Sequence, residues 1–200
     1  SKVKNMRQMF ISCKEFNQDI NTNGLLWNLS SVTDTNYMFY NCYKFNAGKE
    51  SGDATASLNN WNTSKVLSMN YMFNDCRAFN ANISEWDVQK VKHMVGMFKN
   101  CKEFNQNLSK WEPKALEKAN DMLLNVTSYT TGTKKNSLCK WREYLPQKIN
   151  QLSFYMNLKF EEYLTESCRI EKEKQTLPVT EASSNNGPSN NGPSNNGPSN

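Results

Sequence analysis

The chain repeats one phrase four times, with a Met-Phe pair, a cysteine and a Phe-Asn pair at fixed offsets. The phrase begins at residues 9, 38, 72 and 97 and reads MFISCKEFN, MFYNCYKFN, MFNDCRAFN and MFKNCKEFN. Two complete units, 66–90 and 91–115, share the 25-residue pattern V-x-x-M-x-x-M-F-x-x-C-x-x-F-N-x-x-[IL]-x-x-W. A unit this short cannot bury its own apolar side, so successive units must stack to form a core.

The first two units, which begin at Val3 and Val32, are longer than the others. Their extra residues fall around 21–24 and within 47–57. Both insertions are rich in Asn, Gly or Ser, which is typical of surface loops between packed segments. Because insertions in repeat proteins often lie on one functional face, 47–57 is also a candidate binding loop.

A fifth unit begins at Leu116 and loses the pattern at Val126, where a valine replaces the cysteine. Degeneration of this kind is typical of a terminal repeat. The sequence therefore predicts one repeat domain over 1–126 with about four and a half units. Because the chain lacks an initiator Met and residues 1–6 already belong to a unit, we expect it to be a fragment or processed form of a longer protein.

The spacing of apolar residues within a unit predicts the fold class. In the third unit they recur at intervals of three or four: Val66, Met69, Met72, Phe73 and Cys76. This is the spacing of one face of a short helix. Phe79 and Ile83 lie an even number of residues apart, as on one face of a strand. The prediction is an α/β repeat solenoid, leucine-rich-repeat-like, with a short helix or helical turn and a strand in each repeat.

Two residue types at fixed positions are predicted to form structural columns through the stack. They are Cys13, Cys42, Cys76 and Cys101, and Asn17, Asn46, Asn80 and Asn105. The thiols are interpreted as small buried groups, since parallel Cβ vectors disfavour disulfides between neighbours and His93 is the only histidine available for a zinc site. The amides are expected to satisfy backbone groups in turns, and a ligand-binding row of asparagines is the alternative.

The repeat M-x-x-M-F-x-x-C-x-x-F-N-x-x-I-x-x-W-x-x-x-x-V resembles that of BspA-like leucine-rich-repeat surface proteins. The resemblance covers 3–126 and is carried most fully by units three and four. It implies a leucine-rich-repeat-like solenoid that acts in surface adhesion or protein binding, with no catalytic residues to carry over. It also implies a location at the cell surface or outside the cell.

The C-terminal third differs in composition from the repeats. A polar connector is predicted over 127–136, followed by a helical segment over 137–175 and a disordered low-complexity tail over 176–200, which repeats SNNGP. The helical segment is interpreted as a cap on the stack, with a partner-binding or oligomerising helix as the alternative. Cys139 and Cys168 could pair if this segment folds as a hairpin.

Several functional classes are excluded by composition and charge. The net charge of +5 is spread along the chain, so no nucleic-acid surface is expected. No apolar run reaches the roughly 18 residues of a membrane span. One histidine and scattered carboxylates form no nucleophile and base set, so the chain is predicted not to be an enzyme and to need no cofactor or metal.

Binding is the function that remains, and variable positions between Phe-Asn and Trp are its candidate residues. They are Gln18, Asp19, Asn82, Ser84, Glu85, Gln106, Asn107, Ser109 and Lys110. Plain solvated surface is the alternative interpretation of each. The prediction is a non-enzymatic binding module, displayed on a surface, that contacts a protein or surface ligand. The alternative is a structural or assembly scaffold that docks or self-associates through 137–170.

Overall fold

The chain winds into five stacked coils that begin at Val3, Val32, Val66, Val91 and Leu116. This computed structural model describes residues 2–21, 27, 29–131, 138–141, 144 and 168–169. The third residues of neighbouring coils lie side by side in isolated parallel bridges: Asn5 with Asp34, Asp34 with Ser68, Ser68 with His93, and His93 with Lys118. The coils are therefore in register although their lengths differ.

The predicted α/β solenoid is wrong, because the repeats contain neither the helix nor the strand. Among the described residues of 2–126 there is no α-helix, the first being α1, Thr127–Thr131, and β pairing is confined to isolated bridges. The sixth and tenth residues of a coil have left-handed backbone angles, such as φ of 54° at Tyr71 and 60° at Asp75. A left-handed residue ends a right-handed helical turn. The three- and four-residue spacing therefore comes from consecutive turns.

Backbone hydrogen bonds between coils replace those of a helix. Four alternate N–H groups of coil three donate to coil four: Met69 to His93, Tyr71 to Val95, Phe73 to Met97 and Asp75 to Lys99, over 2.8–2.9 Å. The same four bonds occur at each of the other three junctions. The intervening groups, such as Met72 N–H and Cys76 N–H, donate three residues back within their own coil. Both sets of backbone donors are thus satisfied without regular secondary structure.

The core lies between these turns and consists of columns of equivalent side chains. Phe39, Phe73 and Phe98 are fully buried and stack with nearly parallel rings, at centroid distances of 5.6 and 5.8 Å. A second phenylalanine column runs alongside and pairs with the first within each coil, as Phe79 does with Phe73 at 4.0 Å. Each such pair contributes about 0.5–1.5 kcal/mol beyond its burial.

The recurrent asparagines link successive coils through backbone N–H groups. Asn46 N–H donates to Asn17 Oδ1 at 2.8 Å, Asn80 N–H to Asn46 Oδ1 at 2.9 Å, and Asn105 N–H to Asn80 Oδ1 at 2.8 Å. Asn105 Oδ1 is buried and has no partner in the described part of the chain, because the fifth coil lacks the Phe-Asn pair. The insertion at 47–57 folds back onto the same column, since Asn17 Nδ2 donates to the Lys49 carbonyl.

The cysteine column is built in the same way. The thiols of Cys42, Cys76 and Cys101 are buried, and each donates to the carbonyl of the phenylalanine one coil earlier, over 2.9–3.0 Å. Cys13 has no earlier coil beside it among the described residues and is exposed. The column is therefore a set of buried, hydrogen-bonded thiols with one accessible member.

The fifth coil continues beyond Val126, where the repeat domain was predicted to end. Trp61, Trp86 and Trp111 each donate their Nε1–H to an Ile or Leu carbonyl one coil earlier, and Trp141 does the same with Leu108 at 3.2 Å. Trp141 also stacks on Trp111 at 6.1 Å. The 3₁₀ turn at 138–141 is thus the [IL]-x-x-W phrase of the fifth repeat. The predicted connector in fact begins with α1.

A disulfide joins this last turn to a distant part of the chain. Cys139 is bonded to Cys168, with their Cα atoms 4.7 Å apart. The rest of the predicted helical segment at 137–175 lies outside the described residues, apart from Tyr144 and Arg169, and so does the whole tail at 176–200. Part of the predicted loop at 21–24 also lies outside them.

Replacing Gly96 with alanine is expected to destabilise the stack by about 1–3 kcal/mol. Gly96 has φ of +57°, and an added Cβ would lie 2.5 Å from Tyr71 Cε1. Urea denaturation measures the change, and Gly52→Ala is the matched control. Gly52 also has positive φ, but nothing lies within 4 Å of its added Cβ. Equal losses in the two variants would mean that contact with the Tyr71 ring contributes nothing.

Candidate binding surfaces

Three of the predicted binding residues meet in a shallow polar groove. Ser84, Glu85 and Lys110 line a cavity of about 380 Å³ together with Asp87 and other residues of the third and fourth coils. The third coil supplies the turn at Ser84–Glu85, and the fourth supplies the equivalent turn one level further along the stack. Stacking in register therefore brings together side chains that are about 25 residues apart.

Charge in the groove is largely neutralised by local ion pairs. Lys110 Nζ contacts Glu85 Oε1, and this hydrogen bond holds the pKa of Glu85 below its usual range. Ser84 Oγ also donates to Glu85, over 3.2 Å. Lys114 forms a second pair with Glu112 at 2.8 Å and lowers the pKa of that carboxyl group. Exposed pairs of this kind contribute little stability, but they leave few unsatisfied groups for a ligand.

Most of the other predicted residues close turns within the chain. Asn82 Oδ1 accepts the Ser84 N–H at 3.0 Å, and Asn107 Oδ1 accepts the Ser109 N–H at 2.9 Å. The remaining contacts are those of Asp19 Oδ1 with Asn21 N–H and of Gln106 Nε2 with the Asn80 carbonyl. Gln18 is exposed on the first coil. A binding role for these residues stays a prediction.

Sequence reasoning missed a tyrosine surface, which consists of Arg7, Tyr37, Tyr40 and Tyr71. The rings of Tyr37 and Tyr71 stack at 5.0 Å with an angle of 18°, and Tyr40 lies 5.7 Å from Tyr37. The Arg7 guanidinium lies over Tyr37, 5.6 Å from its centroid. All three tyrosines are partly exposed. The stack is possible because Gly96, which lies in the next coil, has no side chain and leaves room for the Tyr71 ring.

A second column at the twelfth residue of each coil also combines an aromatic ring with cations. Tyr43 is partly exposed and lies between Lys14 and Arg77, whose charged groups are 5.5 and 4.4 Å from its centroid. We call this set the cation–π column. Such contacts are worth about 0.5–1 kcal/mol at exposed sites.

The signal that could have revealed both sets is YMFYNCY, residues 37–43. Its tyrosines are spaced by three and alternate with the fixed core residues Met, Phe and Cys. The predicted binding positions all lie between Phe-Asn and Trp, whereas these tyrosines occupy variable positions within the Met-Phe-Cys turns.

Comparison with known proteins places the chain in a family. The model of the family described as "Mycoplasma protein of unknown function, DUF285" matches residues 1–54 and 48–144. Together the two matches cover 144 of the 200 residues. The chain belongs to the DUF285 family. No curated protein and no solved structure matches it.

The DUF285 match includes all five coils and ends three residues after Trp141. The matched region therefore ends close to the point where the column of stacked tryptophans ends. The match supports a family of the BspA-like kind, which the repeat resembles.

None of the helices in the described residues has the length and apolarity needed to cross a membrane.

The buried thiols of this DUF285 chain are poor nucleophiles. Burial raises the pKa of Cys42 to about 12 and that of Cys76 and Cys101 well above the usual 9.0. The thiolate is the reactive form, so these side chains stay inert at neutral pH. Across the described part of the chain, no three His, Cys, Asp or Glu side chains are grouped to hold a metal ion. The described surfaces present aromatic and charged side chains that can make non-covalent contacts.

Proposed function

We propose that this chain is a non-enzymatic binding module that acts in adhesion or protein–protein contact at a cell surface, with BspA-like repeats. The observation that carries the proposal is the tyrosine surface, where stacked, partly exposed Tyr37 and Tyr71 are flanked by Arg7. Tyrosine and arginine are enriched among the residues that dominate binding energy in protein interfaces. Rigid rings also lose little conformational entropy when a partner binds.

The tyrosine surface is a stronger candidate than the polar groove for a physical reason. In the groove Glu85 and Lys110 already satisfy each other, and Asn82 is used to close a turn. A partner would have to break these contacts before making its own. The exposed parts of the tyrosine side chains need no such exchange, since an apolar group of the partner can pack against them without breaking an ion pair.

A surface location is supported by the way the cysteines are used. The Cys139–Cys168 disulfide belongs in an oxidising environment, because thiols in reducing compartments are kept reduced. This is a second reason, besides the repeat resemblance, to propose that the chain acts outside the cytoplasm.

The test is binding of the purified full chain to a panel of matrix proteins, namely fibronectin, laminin and collagen, by surface plasmon resonance. The variant Tyr37→Ser/Tyr71→Ser removes the stacked rings, and Glu85→Gln/Lys110→Gln is the matched control in the groove. We expect the tyrosine variant to weaken binding by about 10-fold to 1000-fold, as loss of hot-spot residues does. The groove variant should bind within about twofold of the natural chain.

Thermal melting of both variants separates loss of contact from loss of fold. If the groove variant alone loses binding, the ligand sits on the predicted polar row and the tyrosine surface is wrongly assigned. If no panel protein binds the natural chain, the adhesion form of the proposal fails.

A further inference from the structure

The first coil exposes on its outer side the apolar residues that every later coil buries. Met9 is 53% exposed, whereas Met38 and Met97 at the same position are 0% exposed. Val3 is 47% exposed, and its counterpart Val32 is 0% exposed. Since the side chains are of the same types, the difference arises from what covers them. Each later coil is covered by the one before it.

Polar groups on this face lack the partners that their counterparts have. The carbonyls of Asn36 and Met38 accept N–H groups from the first coil at 3.0 and 2.9 Å. Their counterparts, the Arg7 and Met9 carbonyls, accept none from the described residues. The thiol of Cys13 is likewise exposed, while the three later thiols of the column donate across a coil junction. The face therefore presents apolar side chains, carbonyl acceptors and one thiol in the arrangement of a coil junction.

We propose that this face seats one further coil of the same repeat, joined directly to residue 1. Such a coil would present the alternate N–H donors that each junction uses, and a phenylalanine carbonyl for Cys13. The sequence supports a direct connection, because SKV at 1–3 repeats SKV at 64–66, where coil two runs into coil three. The face continues an interface that is formed four times within the stack.

A second copy of the chain is a poorer occupant for this face. Two first coils related by a twofold axis would bring carbonyl against carbonyl, with no donors between them. A head-to-tail copy would be a heterologous contact that repeats from chain to chain as a filament, whereas one added coil covers the face once. Only a coil with an uncovered donor edge meets the chemistry of the face.

The test appends one coil to the full chain and follows the reactivity of Cys13. A copy of 66–90, with Cys76→Ser inside the copy, is fused directly before Val3. Of the four free cysteines only Cys13 is exposed, so a disulfide-exchange reagent reports on it alone in the native protein. We expect the fusion to slow this reaction at least ~100-fold, because burial and desolvation suppress the thiolate. The melting temperature should rise in parallel.

The matched control is the same fusion with Met72→Asp and Phe73→Asp inside the copy, so that the added coil cannot join the core. Cys13 should then react as fast as in the chain without a fusion. Unchanged reactivity in the first fusion, or equal protection in both, would overturn the proposal. So would sedimentation of the unfused chain as a dimer in which Cys13 is protected, since a second copy would then be the occupant.

Discussion

Replacing Trp141 with alanine is expected to lower the free energy of unfolding by about 3–5 kcal/mol, the usual cost of truncating a buried tryptophan. Trp141 is fully buried, stacks on Trp111 and donates its Nε1–H to the Leu108 carbonyl. The substitution leaves a cavity and removes one of the hydrogen bonds that the Leu108 carbonyl accepts, the other being from the Trp111 N–H. Urea denaturation followed by circular dichroism measures the loss.

Two further variants make this result specific. Lys140→Ala, one residue earlier and exposed, should change stability by no more than about 0.5 kcal/mol. Trp86→Ala, in the middle of the same column, should cost as much as Trp141→Ala. If Trp141→Ala behaves like Lys140→Ala, then 138–141 is an appendage and the fifth coil ends before it.

Alkaline pH is expected to destabilise the fold steeply, because three buried thiols titrate at different pH in the folded and unfolded chain. Burial raises the pKa of Cys42 from 9.0 to about 12, and raises those of Cys76 and Cys101 as well. Above pH 9.0 the unfolded chain releases protons that the folded chain retains, so stability falls as pH rises. Below this value the thiols are neutral in both states and their contribution is constant.

The expected slope is about 1.4 kcal/mol per pH unit for each thiol that is ionised only in the unfolded state. Urea denaturation at steps from about pH 7 to about pH 11 measures it. The matched variant is Cys42→Ser/Cys76→Ser/Cys101→Ser, whose hydroxyls can donate to the same carbonyls but do not ionise in this range. If the free energy of unfolding of the natural chain changes with pH as little as that of this variant, the thiols are not buried.

The repeat register and the composition of the core could be predicted from the sequence. Val66, Met72, Phe73 and Cys76 have counterparts at the same offsets in the other full units, and these four side chains of the third unit are buried. Burial of this kind depends only on the unit's need to cover one apolar side by stacking. The local conformation could not be predicted in the same way. Spacings of three and four fit a helix and a series of turns equally well, and the left-handed residue at Tyr71 carries no signal of its own.

The candidate site was predicted only in part. Ser84, Glu85 and Lys110 were chosen because they vary between fixed positions, and they do line one groove. Their mutual pairing was not foreseen, since it requires side chains on two different coils to meet. Tyr37 and Tyr71 were missed for the same reason. Each looks unremarkable in its own unit, and only their alignment in one column makes a surface.

By itself the sequence determined that the chain stacks, in which register, and with which side chains inside. These follow from a repeated apolar pattern that no unit can bury alone. Tertiary structure decided the rest. It set the conformation of the turns, stacked Trp141 on Trp111, which lies 30 residues earlier, and paired Cys139 with Cys168. The physical reason is that each of these depends on contacts between separate coils. Such contacts exist only once the stack has formed.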